Sequence, residues 1–187
     1  MTDLNERLDN LKKIIQEPDF LEGKGLSNEV NINIFCYDPK EEMKIRYFVE
    51  KLKQDNSLKN CNILAFDLFE LFIEVSNDRK LIHKYVEKEK KSGKEALLNS
   101  IKKVVSYDKI IDKMDLSNNK HMNNEVVIIY GVGRVHPFLK LHMILNEIQK
   151  VTDLPIIALY PGKYDGLTVS LFGEFESSSY YRAFNRK

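Results

Sequence analysis

Hydrophobic positions recur along this chain with two periods, near 3.6 and near 2, and the switches between them mark its elements. Leu4, Leu8, Leu11 and Ile15 step by four, three and four, the stripe of a first helix that should end before Pro18. The stretch Glu17–Asn28, with one proline and two glycines, reads as a loop. Val30–Tyr37 (VNINIFCY) alternates and then turns continuously apolar, as a first strand would. Asp38-Pro39-Lys40-Glu41 supplies an N-cap, a proline for the first helical position and a glutamate placed to bond back, and Ile45, Phe48, Val49 and Leu52 give the following helix its buried face. Cys61–Phe66 (CNILAF) is a second strand. Asp67 and Glu70 repeat the cap spacing before Leu68, Leu71, Phe72 and Val75.

From there to about Asp115 only the helical period is found. Leu81, Ile82, Tyr85 and Val86 precede a break at Ser92-Gly93, then come Ala96, Leu97, Ile101, Val104 and Val105, and a short helix carries Ile110, Ile111 and Met114. Residues 67–115 thus read as a helical insertion. The polar loop Leu116–Asn124 delivers the chain to Val126–Leu141 (VVIIYGVGRVHPFLKL). The unbroken apolar run Val126–Tyr130 suits a central strand buried on both faces. Gly131 and Gly133 turn the chain, and Pro137 is expected at the start of a helix bearing Phe138, Leu141, His142 and Leu145 and ending near Lys150. Pro155–Tyr160 and Leu167–Phe172 are two more strands. The six residues between them are too few for a parallel crossover, so they should form an antiparallel hairpin.

This order predicts a single α/β domain over residues 1–187, a mostly parallel sheet flanked by helices, with the C-terminal hairpin at one edge. Ligands and partners of such sheets meet the carboxyl ends of the strands. Three loops should converge there: Asp38–Glu42, Gly131–His136 and Pro161–Gly166. In the second, the glycines, Arg134 and His136 suit an anion or a partner's carboxylate, although the turn alone would also require glycine. In the third, turn formation explains the proline, the glycines and Asp165, but not Tyr160, Lys163 and Tyr164.

Composition narrows the function. Of 187 residues, 43% are hydrophobic and 30% charged, with a formal net charge of +1, so the chain reads as globular with no global pull toward nucleic acid. Arg79–Lys94 carries seven Lys/Arg against Glu87 and Glu89, either a solvated helix face or a DNA-backbone contact. Cys36 and Cys61 lie in strand-like runs and read as reduced core residues of a cytoplasmic protein, for no secretory or membrane-spanning segment is visible. No Ser/His/Asp order, nucleophile elbow, phosphate loop or metal-ligand spacing can be assembled, and no cofactor is expected. Asp38, Glu41 and Glu42 could hold a metal, but capping accounts for them. His136 and His142, six apart, should point to different sides of one helix.

Several runs together carry a resemblance. GVGRVHPFLKLHMILNEIQ, PIIALYPGKYDGLTVSLFGEFESSSYYRAF, FLEGKGLSNEV and FCYDPKEE, spread from about Leu4 to Phe184, are similar to the BrxB family of bacteriophage exclusion (BREX) defence systems. Its most specific part is the PGxYDG turn with the following LFG and the terminal YYRAF. The resemblance implies a small, cytoplasmic, non-catalytic component of a multi-protein system that resists phage alongside DNA methylation. Its companions would be a large ATPase, a methyltransferase and a PglZ-type protein, the last the foremost expected partner and the ATPase a further one. It supplies no catalytic residue. The leading expectation is an interaction protein that docks a partner through the three loops and the tail residues Tyr180, Tyr181 and Arg182, types that dominate binding hot spots. The alternative is a nucleotide- or DNA-binding regulatory module of the same system.

Overall fold

The computed structural model describes residues 3–22, 31–78, 81–116, 124–165 and 168–177. The elements run α1 (Leu4–Ile14), α2 (Pro18–Leu21), β1 (Ile32–Tyr37), a 3-10 turn (Pro39–Glu41), α3 (Glu42–Lys53), β2 (Asn62–Asp67), α4 (Leu68–Asn77), α5 (Ile82–Val104), α6 (Tyr107–Met114), β3 (Glu125–Tyr130), α7 (Val132–Val135), α8 (Leu141–Ile148), β4 (Ile156–Tyr164), β5 (Val169–Leu171) and β6 (Phe175–Ser177). Four strands pair in parallel in the order β1-β4-β3-β2, and β5 and β6 continue antiparallel from the far end of β4. The expected α/β class and the interior position of Val126–Tyr130 are both found.

Alternation along the inner strands separates two cores. Val126, Ile128, Tyr130, Ile157 and Leu159 face α1 and α3. Val127, Ile129, Ile156, Ala158 and Tyr160 face α4 to α8. Because strands buried on both faces offer no polar side, β3 and β4 read as continuous apolar runs. Cys61 is buried, Cys36 only partly, and both are free thiols.

Both predicted capping aspartates make their bonds, while the glutamates three residues on turn elsewhere, Glu41 to Lys44 and Glu70 toward Arg134. Asp38 accepts a hydrogen bond from the backbone N–H of Lys40 at 3.0 Å, and Asp67 from that of Phe69 at 2.9 Å. Glu41 pairs with Lys44 one turn on, at 2.7 Å. Within the stretch expected as a loop, Pro18–Leu21 closes one helical turn with proline at its start. Gly93, at φ +80°, breaks the helical run of α5 where Ser92-Gly93 predicted it.

Several expectations are corrected. Pro137 does not open a helix. The residue before a proline is driven out of the α region, so His136 is extended (φ −70°, ψ 136°), α7 ends at Val135, and α8 starts only at Leu141 behind a second extended residue, Lys140. His136 and His142 therefore do not share a helix. Phe138, in the connection, stacks on Phe72 of α4 at 5.3 Å.

Nor is Pro161–Gly166 a loop throughout. β4 outruns β3, whose pairing stops at Ile129 opposite Ala158, and continues through Pro161 to Tyr164. Pro161 has no N–H to give, but its carbonyl accepts from the Phe172 N–H at 2.8 Å. At Gly162 the Ser170 carbonyl comes so near that any Cβ would collide with it, which is why a strand position holds glycine. Asp165 accepts from the Thr168 N–H at 2.7 Å and hydroxyl at 3.0 Å, while Gly166 of the predicted loop lies outside the described residues. Phe172, expected inside the second hairpin strand, lies just past it at φ +57°.

Candidate functional site

The carboxyl ends of β1, β2 and β3 finish in Tyr37, Asp67 and Tyr130, and each side chain is engaged by a neighbour. The Tyr37 hydroxyl donates to the Glu42 carboxylate, and burial first, then Glu42, pushes the phenol far above its ordinary range. Tyr130 points its hydroxyl at Glu50 Oε1 at 3.5 Å. Burial, with Asp67 and Glu50 adding to it, raises its pKa to about 12. Both phenols therefore stay protonated donors at neutral pH. Asp38, Glu41 and Glu42 are occupied by the cap, Lys44 and Tyr37 respectively. Among the described residues no three His, Cys, Asp or Glu side chains are placed to hold a metal.

The glycine turn is built around Asp67. Gly131 sits at φ +75° as the cap of α7, and a Cβ there would strike Asp67 Oδ1, so both backbone angle and space demand glycine. Arg134 reaches back across the strand ends. Its guanidinium lies 2.8 Å from Asp67 Oδ2 and 3.7 Å from Glu70, and 4.1 Å above the Phe69 ring. This cation, the one the sequence offered to an anion, is matched internally.

His136 is placed differently. Its ring lies 5.0 Å from that of Phe175 and 6.3 Å from that of Phe172, which are themselves 6.5 Å apart. Phe172 is 36% and Phe175 49% exposed. Gly133 makes room for this group, since a Cβ there would stand 2.8 Å from Phe172 Cε1. Burial, followed by the charges of Lys140 and Lys102, holds the His136 pKa below its ordinary value. Two of the predicted loops thus meet: Gly133 and His136 from one, and the strand pair carrying Lys163 from the other. The Lys163 side chain is exposed and runs past Gly173.

The remaining candidates scatter. Tyr160 is a core residue of β4, 4% exposed, with its pKa raised to about 12 mainly by burial. Tyr164 is half-buried against the core, and Asp165 holds the hairpin tip. Tyr180, Tyr181 and Arg182 lie outside the described residues. Sequence reasoning took Phe172 only as the end of a strand, although the Phe-Gly pair there was a sign, and passed over Phe175. It also missed a groove of about 400 Å³ between α1 and α3, lined by Leu8, Met43, Tyr47 and Phe48 on the opposite face from His136.

The fold and this edge define a single-domain α/β protein in which Tyr37, Asp67 and Tyr130 at the strand ends are engaged by neighbouring side chains, beside an exposed cluster of aromatic rings. A sequence model of the family described as BREX protein BrxB matches residues 64–186. A "BREX protein BrxB" of Bacillus cereus (strain H3081.97) is 38% identical over 190 residues, 98% of this chain and 97% of its own. Another of that name, from Escherichia coli O9:H4 (strain HS), is 30% identical over 190 residues, 97% of this chain and 90% of its own. The chain belongs to the BrxB family, a component of BREX systems. No solved structure matches it. Among the described residues no helix is long and apolar enough to cross a membrane.

Proposed function

We propose that this chain is a non-catalytic interaction protein of a cytoplasmic BREX anti-phage system and docks the PglZ-type protein, with the large ATPase as a further partner. The observation that carries the reading is the ring cluster of His136, Phe172 and Phe175, apolar area left exposed where two of the predicted loops meet. The engagement of Arg134, Tyr37 and Tyr130 by carboxylates supports it, because a substrate would find each of them already bonded. The test is co-purification of the tagged chain with the proteins of its own system. The PglZ-type protein is expected to co-elute in stoichiometric amount, and its absence would overturn the reading.

A second reading, duplex DNA contact, is favoured by α5 on either side of its Gly93 break, where Lys84, Lys88, Lys90, Lys91 and Lys94 are all exposed. Binding through phosphates would weaken steeply with salt. A duplex retained on the isolated chain at about 50 mM salt and lost on charge reversal of these lysines would decide for it.

A further inference from the structure

The sheet ends at β6, whose outer edge is unpaired among the described residues. An unpaired edge is a row of N–H and C=O groups ready for another strand, and proteins ordinarily blunt it with charge, proline or a bulge. Here the edge strand is only three residues long and carries Glu176, yet it begins with an exposed phenylalanine. Phe172, three residues earlier, is held at φ +57°, a left-handed angle that costs a bulky residue energy, and its N–H is tied to the Pro161 carbonyl. That angle fixes its ring against His136 and Phe175 in the open rather than releasing it to the core.

The charges around the cluster are three lysines, with Glu174 in the turn and Glu176 in β6 itself opposing them. Lys140 and Lys102 lie close enough to His136 to press on its titration, and the Lys163 stem runs beside Gly173. The carboxylate of Glu174 stands against them at the turn. A second copy of the chain would bring the three lysines against their own counterparts, with only Glu174 and Glu176 to offset them. Successive nucleobases need open, roughly parallel ring faces, whereas Phe172 and Phe175 cross at 77° and His136 tilts 37° from Phe175. A nucleic acid would also leave the backbone edge unmatched.

We propose that the outer edge of β6 and the cleft between His136, Phe172 and Phe175 receive an extended acidic segment of a protein partner, which adds as a further strand and seats an apolar side chain among the rings. This rests on the docking function proposed above and names the surface and the chemistry it selects. Main-chain pairing supplies attachment, the cleft supplies selectivity, and the lysines favour a chain with Asp or Glu flanking its apolar residue.

The test uses the full chain and the purified PglZ-type protein. Affinity is measured for the wild type, for Phe175→Glu, and for Lys140→Glu with Lys163→Glu, and amide hydrogen exchange is followed with and without partner. The expected result is a loss of roughly thirtyfold or more for Phe175→Glu, a smaller loss that shrinks with salt for the lysine pair, unchanged melting temperatures, and slowed exchange at residues 175–177 in the complex. A complex of unchanged affinity in these variants, with no protection at β6, overturns this proposal and leaves the docking function standing. No complex with the wild type overturns both. Self-association abolished by Phe175→Glu would assign the edge to a second copy, and retention of a dT oligonucleotide abolished by it would assign the edge to nucleic acid. Either result overturns the proposal.

Discussion

Arg134 and Asp67 close the carboxyl ends of β3 and β2 against each other: the guanidinium stands 2.8 Å from a carboxylate that is only 5% exposed and that also caps α4. Removing one partner of such a pair strands the other. Arg134→Ala is expected to cost about 2 kcal/mol, below the full range for buried pairs because the arginine is partly solvated. Arg134→Lys should restore little, since a lysine cannot give both the planar stack on Phe69 and the fork. Urea denaturation of the single variants and of Arg134→Ala/Asp67→Ala checks the pairing: the double variant should cost clearly less than the sum.

Phe172 reverses the usual rule for glycine. At φ +57° a side chain is penalised and glycine is not, so Phe172→Gly should be more stable than Phe172→Ala by about 1 kcal/mol, although both lose the ring. Equal stability of the two would show that the backbone relaxes to a negative φ once the ring is gone. Thermal melts of the pair suffice.

The histidines give a pH dependence with a definite sign. His136 and His142 are both held below their ordinary 6.5, each by burial first and then by Lys140, with Lys102 adding at His136. The unfolded chain therefore takes up these protons before the folded one does. Stability is complete above about pH 6.5 and declines as pH falls through that value toward the depressed folded pKa. Replacing both residues by glutamine should flatten that decline, as chemical denaturation between pH 7.5 and 5 would register.

Much of this architecture was legible because local signals agreed with it. The capping aspartates Asp38 and Asp67, the apolar run of β3 and the break at Gly93 are each short-range effects, decided by a few neighbouring residues. What went unread was set by tertiary pairing. Pro161 and Gly162 look like turn residues in any window, and only the arrival of β5, with Phe172 donating to Pro161 and Ser170 crowding Gly162, makes them strand. The candidate site divides in the same way. The meeting of the Gly131–His136 turn with the terminal strands follows from parallel topology, whereas the matching of Arg134 by Asp67 links residues 67 apart and left no mark on spacing.

Gly133→Ala isolates the ring cluster from every polar group at this edge. Gly133 lies inside α7 with no left-handed angle to protect, so alanine suits its backbone and by helix propensity alone would stabilise by up to about 1 kcal/mol. Against this, the new methyl would stand 2.8 Å from Phe172 Cε1 and 3.1 Å from Pro161 Cγ. Pro161 is buried and locked in β4, but Phe172 is more than a third exposed, so the ring has solvent to move into. The two terms oppose, and the net change in stability is expected to stay within about 1 kcal/mol. The cleft pays instead: with Phe172 displaced, contact with His136 is lost and affinity for the PglZ-type protein should fall about tenfold, or 1.4 kcal/mol. Chemical shifts of the His136 ring would report the displacement independently of any partner. A shifted His136 resonance with undiminished capture would separate the ring cluster from docking and move the interface elsewhere on the chain.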